Sequence, residues 1–270
     1  CDSDKNKINI AILGSVSVGK STLLNAIFGD GFSKMQIKRT TFIPQKYHTY
    51  TDSTVVNTEE FIKQNNIKMN GLFAHKLWDG KTVADYKIKL PKNFVDINDM
   101  YSICVYDLPG INDMQQKMIY TKWLEENISD FHIILHVIDI YSGLNTSDEI
   151  DILNVILKNI SENTRIICCI NKCDFQTYDD ISKKFVMNEE ELEEIADTQI
   201  IPTIKRAISG HKNEANIEFT YLSSKNAFLY RTIQLSSKIE EISFRLEPKD
   251  LECLMIDEIG KGQWNRLPPP

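Results

Sequence analysis

Apolar residues recur along this chain in two rhythms, and the alternation between them predicts the fold. Short, nearly continuous apolar runs at 8–13, 101–107, 131–138, 165–170 and 217–222 have the length and character of strands buried inside a parallel sheet. Stretches with helical spacing lie between them. Residues 21–28 follow the first run. Met114, Met118, Trp123, Leu124 and Ile128 mark one face across 112–128, and Ile150, Leu153, Ile156, Leu157 and Ile160 mark another. Residues 189–198 read as an acidic helix that Pro202 restarts as a second segment. Such alternation predicts an α/β domain with a doubly wound, mostly parallel sheet, holding its ligands at the carboxyl ends of the strands.

Two stretches depart from this pattern. Residues 47–100 carry strand-like pieces at 47–56 and 86–90 around a polar helix near 58–68, which predicts an insertion on the edge of the sheet. Residues 236–270 follow the domain of residues 1–235 as a helical tail, with Ile239, Ile242 and Leu246 on one face and Leu251, Leu254, Met255 and Ile259 on another.

Composition narrows the class. The 270 residues are 42% hydrophobic and 26% charged, enough for one large α/β domain with appendages. A net charge of -7 argues against a nucleic-acid partner. The longest apolar stretch, 131–140, is interrupted by His132, His136 and Asp139 and is too short to span a bilayer. No signal peptide or lipidation signal is visible, and the chain starts at Cys1 rather than Met, which leaves room for a missing native N-terminus. Cys104, Cys168 and Cys169 lie in strand-like runs, so buried free thiols and a reducing, cytoplasmic setting are expected. Cys168, Cys169 and Cys173 lack the spacing of zinc ligands.

The chemistry is concentrated in four short motifs. Gly14-Ser15-Val16-Ser17-Val18-Gly19-Lys20-Ser21 fits G-x-x-x-x-G-K-[ST] between a strand and a helix, followed by Thr22. That order places backbone N–H groups and a positive helix end around a phosphate, with Lys20 on the outer phosphates and the Ser21 hydroxyl on Mg²⁺. Asp107-Leu108-Pro109-Gly110 follows a strand, where an Asp holds Mg²⁺ through water and the Gly110 N–H senses a γ-phosphate. Asn171-Lys172-Cys173-Asp174 closes another strand. A carboxylate at Asp174 accepts from the guanine N1–H and amine, donors that adenine does not offer in that arrangement. Asn171 would tie this loop to the phosphate loop, and the Lys172 stem would lie along the base. Ser223-Ser224-Lys225 follows the last strand and is similar to the loop that meets guanine O6. A switch threonine must also reach Mg²⁺; Thr40 or Thr41 of Arg39-Thr40-Thr41-Phe42-Ile43-Pro44 could serve.

Taken together, residues 8–235 resemble a GTPase of the translation-factor type, and within it the dynamin-like large GTPases. Ser17 stands where dynamins have Ser, Thr41 to Pro44 reads T-x-x-P, and Ile111 follows D-L-P-G. Asp107 lies 66 positions after Thr41, room for the extra strands of dynamin-type domains. The resemblance implies that Ser17 and Thr41 hold the attacking water, assisted by Lys20 and Mg²⁺, because apolar Ile111 cannot orient it. It further implies that K⁺ replaces an arginine finger, that two domains associate across the nucleotide face, and that the protein acts at a membrane through parts outside this chain. Arg39 is a nearby basic alternative to the cation. Two other readings stay open: a slow GTP/GDP switch recruiting an effector through 33–46 and 107–118, and an Era-like RNA- or ribosome-associated GTPase. The acidic balance, the long gap and Ser17 in place of Asn weigh against the last.

Overall fold

A computed structural model describes residues 6–29, 41, 43–50, 78–89, 101–110, 117–144, 147–174, 176–179, 184–187, 189–212 and 214–235. In chain order these form β1 (Asn6–Leu13), α1 (Lys20–Phe28), β2 (Gln45–Tyr50), β3 (Ala84–Lys89), β4 (Tyr101–Asp107), α2 (Lys117–Asn127), β5 (Ile133–Asp139), α3 (Ser147–Asn159) and β6 (Arg165–Asn171). A hairpin of β7 (Gln176–Asp179) and β8 (Lys184–Met187) follows, then α4 (Glu189–Ile195), α5 (Ile201–Ile208), β9 (Ile217–Tyr221) and α6 (Ser224–Leu235).

Seven strands make one sheet in the order β3-β2-β4-β1-β5-β6-β9, the doubly wound α/β architecture that the apolar runs predict. β4, β1, β5, β6 and β9 run parallel. Their fully buried residues include Ile12, Leu13, Val105, Ile134, Ile166 and Ile170, and branched side chains suit strands packed on both faces. The chain leaves β1 toward β4 on one side and returns to β5 on the other. This reversal opens a crevice at the carboxyl end of β1, the usual ligand position in such sheets.

β3 and β2 supply one edge of the sheet. β2 pairs antiparallel with β4, and β3 pairs parallel with β2. β2 starts at Gln45, two residues before the expected start, directly after Pro44. Across β4, β2 and β3, Cys104 Sγ lies 3.2 Å from His48 Nδ1, and His48 Nε2 lies 2.7 Å from Asp85 Oδ1, so the polar side chains satisfy one another. The helix expected near 58–68 and the tail at 236–270 fall outside the described residues.

Three helical expectations need correction. Met118 is 85% exposed and Tyr120 takes the buried place, because the stripe of α2 runs through Tyr120, Trp123 and Leu124 and continues at Ile128 in the turn that follows. Ile150 is partly exposed on α3, whose buried stripe includes Ile152. Pro202 does not follow a break: a π-turn over Ala196–Ile200 joins α4 to α5. Proline is tolerated in the first turn of α5, and the Thr198 and Thr203 hydroxyls donate to the Glu194 and Gln199 carbonyls. The β7–β8 hairpin is not anticipated by the apolar pattern at all.

Candidate nucleotide site

The loop from Gly14 to Gly19 fills the crevice at the end of β1, and its glycines are imposed by neighbours. A Cβ on Gly14 (φ 147°) would sit 2.3 Å from the Val137 carbonyl oxygen, and one on Gly19 (φ 101°) would sit 2.3 Å from Asn171 Nδ2. Ser17 holds a left-handed backbone (φ 65°) at the exposed tip, a conformation unusual for a non-glycine residue. Lys20 folds back under the loop, donating to the Gly14 carbonyl at 3.0 Å and the Ser15 carbonyl at 2.6 Å. No side chain caps the start of α1. The helix end with its partial positive charge and the buried ammonium therefore address the same anion position.

Three oxygen donors meet beside this cradle. Ser21 Oγ donates to Asp107 Oδ2 at 2.8 Å, and Thr41 Oγ1 donates to the same oxygen at 3.1 Å. The two hydroxyls are 3.4 Å apart. Two hydroxyls and a carboxylate are hard ligands, and the set fits Mg²⁺ better than a soft transition metal. Thr41 is placed here; Thr40, Arg39 and Ile111 lie outside the described residues. The loop after Asp107 packs on the phosphate loop so tightly that a Cβ on Gly110 would lie 2.8 Å from the Val16 nitrogen.

A second group of residues is assembled at the ends of β6 and β9. Asn171 joins three loops: its Nδ2 donates to the Val18 carbonyl at 2.6 Å, and its Oδ1 accepts from the Ser224 N–H at 2.9 Å. Lys172 has a left-handed backbone and its Nζ reaches Asp139 Oδ2 at 2.5 Å. The Cys173 N–H donates to the Leu222 carbonyl. Ser223 Oγ accepts from the Asn226 N–H and so caps α6, while Lys225 is exposed. Asp174 is half-buried near Tyr141, whose phenol is pushed up to about 12 by desolvation first and then by the Asp174 charge. α6 packs on α1 through Ala26, Phe228 and Leu229, which holds the two groups in register. Thr22 is half-buried on α1, beside Ser21.

Residues 9–172 match the model of the 50S ribosome-binding GTPases, more than half of the chain. The chain belongs to this family. It carries a P-loop GTPase domain. Among known proteins it is 30% identical over 185 residues to uncharacterized protein R618 of Acanthamoeba polyphaga mimivirus, an alignment covering 62% of this chain and 29% of that protein. The chain therefore spans less than a third of that relative's length. In fold it is similar to a bacterial dynamin from an oligomerised pair that senses and tethers membranes (TM-score 0.51, 17% identity, 98% of this chain and 48% of that one). It is also similar to a dimerisation-deficient mutant of Toc33 from Arabidopsis thaliana (TM-score 0.51, 11% identity, 97% of this chain and 87% of that one).

Four residues of the GTPase site carry no motif signal. Ser15 Oγ donates to Glu149 Oε1 at 2.7 Å, and both residues are buried. His136 lies under the loop, and burial, reinforced by the Lys20 charge, lowers its pKa to about 4, so it is neutral. The Tyr120 hydroxyl is held protonated by burial and then by the Asp107 carboxylate. Asp139 fixes Lys172 and also accepts from the Tyr141 N–H at 3.0 Å.

Proposed function

We propose that this GTPase domain is dynamin-like: it hydrolyses GTP with Mg²⁺ held by Ser21, Thr41 and Asp107, and two domains meeting across the nucleotide face raise its turnover. The observation that carries this reading is Thr41 bonded to Asp107 and beside Ser21, in a chain whose residue after D-x-x-G is apolar Ile111. A glutamine that orients water is missing, so the water falls to Thr41 and Ser17, and Lys20 and the Gly110 N–H hold the γ-phosphate. Mg²⁺, when bound, neutralises charge on the phosphate oxygens. Catalysis of this kind is mostly positioning and electrostatics, and K⁺ at the exposed Ser17 tip would complete it on association. In this reading the protein works in the cytoplasm, peripheral to a membrane that it remodels through parts beyond this chain.

A second reading is a ribosome- or RNA-associated GTPase. The family's description as ribosome-binding favours it and removes the exclusion of nucleic acid drawn from net charge. A slow switch that awaits an activator is the limit of both. GTP turnover per molecule against protein concentration, in K⁺ and then in Na⁺ buffer, separates them. The proposal predicts a rate that climbs with concentration and is faster in K⁺. A flat, slow rate in both buffers, with the domain co-sedimenting with 50S subunits, would favour the second reading.

A further inference from the structure

The buried stripe of α3 runs through residues 149, 152, 153, 156 and 157 and continues at residue 160 just after it, the spacing of one helix face. Five of these are Ile or Leu; the first is Glu149, 7% exposed. A carboxylate at a core position is strongly disfavoured unless polar groups answer it. Here one answering group is the Ser15 hydroxyl at 2.7 Å, 134 residues away in sequence. Ser15 is the second residue of the phosphate loop, and its carbonyl accepts from Lys20 Nζ at 2.6 Å. One residue thus links the buried carboxylate to the lysine that reaches the phosphates.

We propose that Glu149 is a positioning residue of the nucleotide site: through Ser15 it fixes the first turn of the phosphate loop and with it the place of Lys20. The inference rests on the GTPase reading of that loop. Glu149 acts through Ser15 and not on the nucleotide itself. The Ser15 hydroxyl, donating at 2.7 Å to a buried carboxylate oxygen, ties the first turn of the loop to α3.

The test uses the full chain and fluorescently labelled GDP with Mg²⁺. Glu149→Ala and Ser15→Ala are each expected to weaken GDP binding by about tenfold, the scale of one charged hydrogen bond. The double variant is expected to be no weaker than the worse single variant, since both remove one interaction. Glu149→Gln keeps an acceptor and is expected to bind within about threefold of the parent. At saturating GTP, kcat should fall as well as KM rise in both single variants, because a displaced Lys20 serves the transferring phosphate less well. Asp151→Asn, two residues along and exposed in a pair with Lys117, is expected to change nothing. A folded Glu149→Ala that binds GDP like the parent, or single effects that simply add, would overturn the anchor while leaving the GTPase site intact. Should Glu149→Ala fail to fold, Ser15→Ala binding like the parent would overturn it equally. A parent chain that binds no guanine nucleotide would overturn both readings.

Discussion

The two ends of the nucleotide site are built differently. At the phosphate end the charged groups are inside the protein: Lys20, Asp107 and Glu149 are all buried and each is held by a polar partner. At the base end Lys172 and Asp174 are half-buried, and Asn171 ties their loop to the phosphate loop and to the start of α6. A phosphate carries the same charge on every nucleotide, so that end is built for strength. Bases differ by single donors and acceptors, so the other end needs only correctly aimed groups. Changes at the phosphate end should therefore disturb chemistry and stability together, and changes at the base end should alter choice of nucleotide in an intact fold.

The largest expected effect is at the phosphate end. Lys20→Ala should lower GTP turnover by about a thousandfold, because a preorganised charge on the transferring phosphate is lost. Steady-state phosphate release measures this, and a loss below about tenfold would break the contrast.

His136 should show the cost of the buried phosphate end through pH. Its pKa in the fold is about 4, against about 6.5 unfolded. The unfolded chain therefore takes up the proton first. Stability is full above pH 6.5 and falls as pH drops from about 6.5 to 4, by up to about 3 kcal/mol. Urea midpoints at pH 7.5 and 5 should reveal that slope, and His136→Leu should flatten it.

Asp174→Asn should move specificity without moving the melting temperature. GTP affinity is expected to fall by about a hundredfold, and xanthosine triphosphate, whose C2 carbonyl can accept from the new amide, should bind better than GTP. Competition against labelled GDP would show this, and equal affinity for GTP before and after would break the assignment of the base end. The smallest effect sharpens the comparison at its seam. Asn171→Ala removes two hydrogen bonds joining the ends and should cost about 1–3 kcal/mol in stability, with a matching loss of GDP affinity. A thermal melt with and without GDP reads both.

Most of the fold was legible because strand, loop and helix repeat with clear apolar periods, and β1, β4 and β6 each run into a motif at their carboxyl ends. The phosphate loop is written in local residues, since its glycines answer local geometry. What stayed hidden depends on contacts distant in sequence. Glu149 stands beside Ile150, and an apolar residue draws the helical face toward itself; only the partner at Ser15 shows that the charged neighbour is the buried one. Met118 misled in the same way beside Tyr120, which carries a hydroxyl into the core. The direction of β2 is set by its pairing with β4, which no period within β2 reports. The π-turn arises where α4 meets the first turn of α5, and it preserves a run that a proline alone would seem to end.

The most direct test of the whole account is phosphate release from GTP and from ATP by one preparation of the parent chain with Mg²⁺, with Lys20→Ala as the blank. GTP is expected to be hydrolysed, ATP to be turned over at least about a hundredfold more slowly, and the Lys20→Ala chain to be silent toward both. Equal rates for the two nucleotides, or GTP turnover that survives in Lys20→Ala, would contradict it.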